Sequence, residues 1–170
     1  ISICLLDPKS SVSVYFLNTE LEKMESIDEL DDEGMRSFRR NMQMIFQDPY
    51  ESLNPRWTIK DIIKEPLDIH NIGALNDREE AVIEILRTVG LTPPENYLAR
   101  YPHEISGGQR QRVSIARTLI MKPKFVICDE PTSMLDVSIR ISIMDLMLNL
   151  AKDLNVSYLY ITHDLSLIHI

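Results

Sequence analysis

The chain has 170 residues, 44% apolar and 26% charged, and its 18 Lys and Arg against 26 Asp and Glu give a formal net charge of −8. This composition is typical of globular proteins and excludes a disordered or fibrous chain. No apolar run approaches the roughly 18 residues that cross a bilayer, so no membrane span is predicted. Two cysteines, Cys4 and Cys128, offer neither a disulfide framework nor a metal-ligand spacing, which fits a reducing compartment.

The negative charge is concentrated near the N-terminus. Residues 20–33 hold eight acidic residues and one lysine, so the rest of the chain is nearly neutral. Such a run predicts a solvated loop or helix face, with an acidic binding surface as the alternative. Phosphate binding by a nucleic-acid protein needs a basic patch, which this balance does not provide.

A short strand is predicted early in the chain. Residues 42–46 are rich in apolar side chains and end at Gln47, where a loop begins. Two prolines and an asparagine predict irregular structure over residues 48–58.

Two helices are predicted in the middle of the chain. The first has Asn76 as its N-cap with Glu79 as the capping-box partner, and Gly90 suits its C-terminal stop. The second begins at Ser106 and is closed by Pro123.

The last third of the chain predicts strands around a helix. Residues 125–128 are all apolar, as expected of a strand buried on both faces of a parallel sheet. Apolar residues at helical spacing (Ile139, Ile143, Met147, Leu150 and Leu154) predict a core-facing helix, and residues 156–161 predict a further strand. Helices that alternate with short apolar strands predict an α/β fold with a largely parallel sheet.

Polar residues suited to binding or catalysis follow the predicted strands or open a helix. Both places lie at the edge where open α/β sheets bind ligands. Ser106, Gly107 and Gly108 open a helix, where backbone N–H groups and the helix dipole attract an anion; a plain N-cap is the alternative. Asp129 suits Mg²⁺, which takes oxygen ligands, and Glu130 suits proton abstraction from a water; a solvated strand end is the alternative.

Two further polar residues follow strands. Gln47 is placed to bridge a metal, a water and a moving loop, and His163 is placed to hydrogen-bond a terminal phosphate. A single glutamine or histidine in such a place is by itself weak evidence of function.

Together and in this order, these segments resemble the nucleotide-binding subunits of ABC transporters. Residues 105–112 (ISGGQRQR) resemble the signature motif, and residues 125–130 (FVICDE) resemble the Walker B strand with its catalytic glutamate. Residues 44–49 (MIFQDP) resemble the Q-loop, residues 133–136 (SMLD) resemble the D-loop, and residues 161–164 (ITHD) resemble the switch-histidine strand. A signature followed by Walker B is far more specific than a single motif.

The resemblance implies a P-loop NTPase (RecA-like) fold, a parallel sheet flanked by helices with a helical signature subdomain. About residues 1–47 and 124–170 would form the core of a partial ABC ATPase domain, and about 48–123 the Q-loop and helical subdomain. Residues 46–56 (FQDPYESLNPR) and 101–104 (YPHE) resemble in particular the ATPase subunits of oligopeptide and dipeptide importers.

In this family two subunits enclose two ATP molecules head to tail, and the signature of one completes the site of the other. The resemblance therefore implies roles by position on the Walker side: Asp129 and Gln47 at Mg²⁺, Glu130 as general base with Gln47 at the lytic water, and His163 at the γ-phosphate. On the signature side it implies contact with the partner's ATP for Ser106, Gly107, Gly108 and Gln109, and a link between the two sites for Asp136.

The resemblance also implies cofactors, partners and a location. ATP and Mg²⁺ are the expected cofactors. The expected partners are a second ATPase subunit, transmembrane permease subunits that contact residues 48–66, and indirectly a solute-binding protein, with no nucleic acid. The protein is expected at the cytoplasmic face of a bacterial plasma membrane, as a peripheral subunit.

The sequence departs from the family at the phosphate-binding loop. A P-loop has the pattern G-x-x-x-x-G-K-[ST], and none of the five glycines has another glycine five positions on. Since the chain also begins at Ile1 without a signal peptide, we expect a piece of a longer protein whose P-loop lies upstream. The isolated piece is expected to be poorly stable and inactive. Residues 165–170 resemble a translated transposon end, so His169 is given no role.

Three other interpretations remain open. A DNA-maintenance (SMC-like) ATPase shares the signature, but its long heptad coiled coil is not present in this sequence. A ribosome-acting factor with two tandem ATPase units is a second alternative. The third is a non-catalytic module of the same family that lacks a P-loop.

Overall fold

The computed structural model describes residues 15–18, 23–26 and 30–162, and the chain divides into two compact units, Ile1–Arg40 and Asn41–Ile170. In the first unit, strand β1 (Tyr15–Asn18) pairs antiparallel with strand β2 (Lys23–Ser26). Helix α1 (Asp32–Asn41) follows.

The start of α1 shows why a helix begins there. Asp31 caps it, because its Oδ1 accepts a hydrogen bond from the Gly34 N–H at 2.7 Å. Asp32 and Glu33 lie in the first turn, where they complement the helix dipole. Phe38 is the buried residue of this helix.

The prediction of a solvated loop or helix face over residues 20–33 is wrong in part. Residues 23–26 form β2, because this segment finds a hairpin partner in β1. Asp31, Asp32 and Glu33 are exposed at the start of α1, as predicted for a solvated helix face. Residues 20–22 and 27–29 lie outside the described part of the chain.

The second unit alternates strands and helices, which confirms the predicted α/β class. Its elements are β3 (Met42–Ile45), α2 (Pro49–Ser52), α3 (Ile59–Ile69), α4 (Leu75–Thr88), α5 (Glu95–Leu98), a 3₁₀ turn (Pro102–Glu104), α6 (Gly107–Leu119), β4 (Phe125–Asp129), α7 (Val137–Asp153) and β5 (Ser157–Ile161).

The strands described in this unit form a parallel sheet in the order β3-β4-β5. Ile45 lies opposite Cys128, and Cys128 lies opposite Tyr160, so one face of the sheet carries these three side chains. Ile45 and Cys128 are fully buried there, and Tyr160 packs against the same core. Burial raises the pKa of the Cys128 thiol to about 12.

The expectation that the strand over residues 125–128 is buried on both faces is wrong for the described part of the chain. Phe125 and Ile127 are only half-buried, and Met44 and Leu159, beside Ile127, are exposed. The reason is that the hydrophobic core of the described residues holds side chains from the other face of the sheet.

Local signals explain most helix boundaries. Helix α6 begins at Ser106 as predicted, and it ends at Leu119, before Pro123. Helix α4 ends before Gly90, whose φ of +75° suits the predicted glycine stop. Its N-cap is Ala74 and not Asn76, because the Asp77 carboxylate accepts the Ala74 N–H at 3.2 Å.

Residues 48–58 are not wholly irregular. Pro49 opens the one-turn helix α2, a position that suits proline because its missing N–H would have no partner there. Helix α3 was not predicted, although its N-cap pattern is visible in the sequence: Thr58 Oγ1 accepts the Asp61 N–H at 3.2 Å.

Helix α6 lies at the centre of the unit and contacts α3, α2, α4, α7 and β3. Its apolar residues Val113, Ile115, Ala116 and Leu119 are buried. From α7, Ile143, Met147 and Leu150 join the core as predicted, whereas Leu154, at the C-cap, is 42% exposed.

No helix within the described ranges combines the length and the apolarity that crossing a membrane requires. The proposed division into a core and a helical subdomain over residues 48–123 stays a prediction.

Replacing Gly90 by Ala is expected to destabilise the fold by about 2 kcal/mol. Replacing Gly73 by Ala is expected to destabilise it by about 1 kcal/mol. Both residues have positive φ, +75° and +72°, but a Cβ on Gly90 would lie 2.8 Å from Arg112 Nη1, whereas the nearest atom at Gly73 is 3.5 Å away. The Arg112 group cannot move freely, because it donates to the Val89 carbonyl at 2.6 Å. Urea unfolding of both variants measures the difference, and equal losses would show that the contact with Arg112 is harmless.

Candidate functional site

Gln47 and Glu130 meet at the carboxyl edge of the sheet. Gln47 lies two residues after β3, and Glu130 directly follows β4. Because the two strands are parallel and paired, their carboxyl ends lie side by side. The Gln47 side-chain amide donates a hydrogen bond to Glu130 Oε2 at 3.0 Å. Two side chains separated by 83 residues are thereby joined.

The backbone at Glu130 has an unusual conformation. Its φ is +42°, in the left-handed region that costs a residue with a side chain about 1–2 kcal/mol. The conformation is held by hydrogen bonds on both sides: its N–H donates to the Ile161 carbonyl at 3.0 Å, and its carbonyl accepts from Ser133 N and Ser133 Oγ, each at 3.1 Å. A strained backbone of this kind persists only where surrounding interactions hold it in place, and such residues are typical of functional sites.

Asp129 is the last residue of β4 and lies opposite Ile161 of β5. Its side chain is half-buried, one position before Glu130, so two consecutive carboxylates stand at this edge. Among the described residues, no group of three or more His, Cys, Asp or Glu side chains is placed to hold a metal. A cation at Asp129 would therefore need further ligands, such as the phosphate oxygens of a nucleotide.

The turn at Ser106 is a complete capping box. Ser106 Oγ accepts the Gln109 N–H at 3.3 Å, and Gln109 Oε1 accepts the Ser106 N–H at 2.9 Å. The other end of the Gln109 amide donates to the Tyr97 hydroxyl at 3.4 Å. Both ends of the Gln109 side chain are thus engaged within the chain, and its contact with a nucleotide stays a prediction.

The two glycines of this turn differ in their surroundings. A Cβ on Gly108 would lie 2.7 Å from Ile139 Cγ2, closer than real Cβ atoms come, so glycine is needed there for α6 and α7 to approach. A Cβ on Gly107 would lie 3.5 Å from Leu135 Cδ2, an ordinary contact. Gly108 therefore has a packing role whatever else it does.

The segment between β4 and α7 connects the two candidate regions. Thr132 is buried and its hydroxyl lies 2.9 Å from the Tyr160 hydroxyl, which anchors the segment to β5. Burial raises the pKa of Tyr160. Leu135 reaches the glycine turn, and Asp136 follows as the exposed N-cap of α7.

The structure brings together some of the predicted site residues. Gln47 and Glu130 form one cluster, with Asp129 next in the chain. Ser106, Gly107 and Gly108 form a second, which Leu135 touches next to Asp136. His163 lies outside the described residues, so its contact with a phosphate stays a prediction.

Arg140 is a residue near the candidate site that the sequence patterns do not mark. Arg140 Nη2 donates to the carbonyls of Ser133 and Leu135, at 3.4 and 3.2 Å. Nothing in the linear pattern marks this contact, because its acceptors are backbone atoms whose position depends on how the segment folds back on α7.

The arginines of α6 are also used inside the fold. Arg110 donates to the Ile105 carbonyl at 2.6 Å, and Arg112 donates to Val89 O and to Ser142 Oγ. These contacts fix the loops around the Ser106 turn.

Comparison with known proteins relates these features to a family. The sequence profile described as "ABC transporter" matches residues 9–133. The chain is 50% identical over 149 residues to the oligopeptide transport ATP-binding protein AppF of Bacillus subtilis, covering 87% of this chain and 45% of the relative. It is 54% identical over 132 residues to the oligopeptide transport ATP-binding protein OppF of the same organism, covering 77% of this chain and 43% of the relative.

A further relative is the dipeptide transport ATP-binding protein DppF of Lactococcus lactis, 50% identical over 135 residues that cover 79% of this chain and 43% of the relative. The chain spans somewhat less than half the length of these curated relatives.

Solved structures give the same answer for the fold. The ATP-binding cassette MJ0796, in a dimeric post-hydrolysis state bound to ADP and Pi, matches with a TM-score of 0.73 and 29% identity, over 92% of this chain and 65% of that chain. The protein cbiO1 of Clostridium perfringens, part of an ABC transporter complex, matches with a TM-score of 0.71 and 27% identity, over 84% and 56%. The predicted P-loop NTPase fold is confirmed.

Replacing Gly108 by Ala is expected to destabilise the fold by about 1–3 kcal/mol, because the new methyl group collides with Ile139. Gly107→Ala is the matched control, with an expected change below about 1 kcal/mol, since alanine suits a helix and meets only ordinary contacts. Chemical denaturation measures both.

Truncating Ile139 tests the cause. If the collision is responsible, the double variant Gly108→Ala, Ile139→Ala loses less stability than the sum of the single variants. Additive losses would contradict this explanation.

Proposed function

Because the chain belongs to the ABC transporter family, we propose that it is the ATP-binding and ATP-hydrolysing part of an importer for oligopeptides or dipeptides. In support, relatives about 50% identical are named oligopeptide and dipeptide transport ATP-binding proteins. A relative 49% identical is the glutathione import ATP-binding protein of Escherichia coli. Glutathione is itself a small peptide, so these names share one substrate class. They give no support to the DNA-maintenance alternative.

The hydrogen bond between Gln47 and Glu130 is the observation that carries the proposal. A general base must present its carboxylate to a water within hydrogen-bond reach. Glu130 is suited to this, because its strained backbone is fixed on both sides and the Gln47 amide orients its carboxylate at 3.0 Å. We assign to Glu130 the removal of a proton from the water that attacks the terminal phosphate, with Gln47 orienting both.

Asp129 and Gln47 fit a magnesium ion that is shared with a nucleotide. Mg²⁺ is typically held by one or two carboxylates together with phosphate oxygens, so the described residues need not supply a full ligand set. Asp129 offers a half-buried carboxylate. The Gln47 amide donates to Glu130 through its nitrogen, so its carbonyl oxygen is the atom that would bind the ion. When bound, Mg²⁺ neutralises the charge that builds up on the phosphates during transfer.

The Ser106 turn is proposed to bind the phosphate of an ATP held by a second subunit. Ser106 is exposed at the N-terminus of a 13-residue helix, whose backbone N–H groups and dipole favour an anion. Within the described residues, the hydrogen bonds of Ser106 stay inside its own turn, so the turn is already formed before a ligand arrives. Gly107 and Gly108 would bind through their N–H groups.

An exposed apolar patch beside Asp136 supports the presence of a second subunit. Met134, Val137 and Ile141 are 64%, 70% and 47% exposed, and such clusters are typical of interaction sites. Two of the similar solved structures are described as dimeric. We propose that Asp136 and this patch meet the partner, and that Gln109 supports the Ser106 turn from within.

A surface around α3 is proposed to contact the permease. It includes residues 48–66, which follow Gln47 directly, and a surface cavity of about 390 Å³ whose lining includes Trp57, Asp61 and Lys64. Arg117 of α6 donates to Ser52 O at 3.4 Å and to Glu65 Oε2 at 2.7 Å, so the signature helix is fastened to this surface. Through such a contact the protein would lie at the cytoplasmic face of a bacterial plasma membrane.

Replacing Glu130 by Gln tests the assignment of the general base. In the intact protein that carries this sequence, ATP hydrolysis should fall by at least about a hundredfold, while ATP binding is retained, because the amide keeps the shape but accepts no proton. Steady-state phosphate release and equilibrium nucleotide binding measure the two properties.

Glu84→Gln is the matched control, since it makes the same chemical change on the exposed face of α4. It should hydrolyse ATP at the unmodified rate. Hydrolysis by Glu130→Gln at the rate of Glu84→Gln would remove Glu130 from the role of base.

A further inference from the structure

The guanidinium of Arg140 acts on the backbone between β4 and α7. Arg140 lies in the first turns of α7, where its N–H donates to the Asp136 carbonyl at 2.8 Å. Its Nη2 donates to Leu135 O at 3.2 Å and, more weakly, to Ser133 O at 3.4 Å. Hydrogen bonds from a charged donor are stronger than those between neutral groups. A single side chain therefore restrains the carbonyls of two residues, Ser133 and Leu135.

The two residues that Arg140 restrains contact different parts of the candidate site. Ser133 holds the Glu130 carbonyl with both its N–H and its hydroxyl, each at 3.1 Å. Leu135 is buried, and its Cδ2 lies 3.5 Å from the place of a Cβ on Gly107. The restrained segment therefore touches the strained backbone of Glu130 at one end and the Ser106 turn at the other.

We infer that Arg140 is a positioning residue for ATP hydrolysis, which sets the backbone of Glu130 and fixes it relative to the glycine turn of the same chain. The inference rests on the proposed function. Glu130 keeps a φ of +42° only while its neighbours hold it there. Thr132 anchors the first half of the segment through Tyr160, and Arg140 anchors the second half. Without Arg140, the second half loses a charged donor and Glu130 can relax toward an ordinary φ.

The test compares three variants of the intact protein that carries this sequence. Arg140→Ala removes the donor, and Arg140→Lys keeps a charge but not the planar group that serves both carbonyls. Lys152→Ala is the matched control, because Lys152 is an exposed cation in the last turn of the same helix. The measurements are kcat and KM for ATP, and amide hydrogen exchange over residues 130–136 and 106–108.

For Arg140→Ala, kcat should fall by about tenfold to a hundredfold, as expected when a catalytic group is misplaced by a fraction of an ångström to 1 Å, and KM should change by less than about threefold. Exchange should rise at the amides of Ser133, Leu135 and Ser106, whose N–H groups donate hydrogen bonds to Glu130 O, Thr132 O and Gln109 Oε1. Arg140→Lys should lie between the unmodified protein and Arg140→Ala, and Lys152→Ala should match the unmodified protein in both measurements.

Other outcomes overturn the inference. Arg140 does not position Glu130 if the Arg140→Ala variant has the same kcat as Lys152→Ala. The same conclusion follows if amide exchange over residues 130–136 is unchanged in Arg140→Ala. Equal losses in kcat and in ATP affinity would indicate a general loss of structure instead. If the unmodified protein itself hydrolyses no ATP, the proposed function fails first and this inference falls with it; if it does, a normal Arg140→Ala refutes the inference alone.

Discussion

The parallel pairing of β3 with β4 is the constraint on which the candidate site depends. It places the carboxyl ends of both strands at one edge, so that Gln47 and Glu130, distant in sequence, come within hydrogen-bond distance at 3.0 Å. A slip of β3 against β4 by one residue would turn either Ile45 or Cys128 out of the core, so burial of these side chains fixes the site geometry as well. The same interactions thus stabilise the fold and assemble its polar edge.

A second feature is that the two candidate regions are joined within one chain. Glu130 is held by Ser133, and Leu135, two residues later, packs at Gly107. Helix α6, which begins at this glycine turn, is in turn fastened by Arg117 to the surface that follows Gln47. These contacts form a continuous connection from Glu130 to the Ser106 turn, and from there to the surface that is proposed to contact the permease.

Short-range signals in the sequence predicted what depends on local chemistry. The helix that the sequence predicts from Ser106 is confirmed, and so is the strand that the apolar run before Asp129 predicts. Thr58 carries the same kind of capping signal and was missed. What no local pattern contains is the bond from Gln47 to Glu130, the left-handed φ of Glu130 and the contacts of Arg140, because each depends on how distant segments pack. The exposed face of the sheet was mispredicted for the same reason.

The coupling between Gln47 and Glu130 can be measured directly by a double-mutant cycle on single-turnover ATP hydrolysis in the intact protein, with Gln47→Ala, Glu130→Ala and the double variant. If the two side chains are coupled at the sheet edge, the loss in the double variant is smaller than the product of the two single losses, because part of the effect of Gln47 passes through the carboxylate that has been removed. If the two losses multiply instead, Gln47 and Glu130 act independently and their hydrogen bond is not the basis of the site.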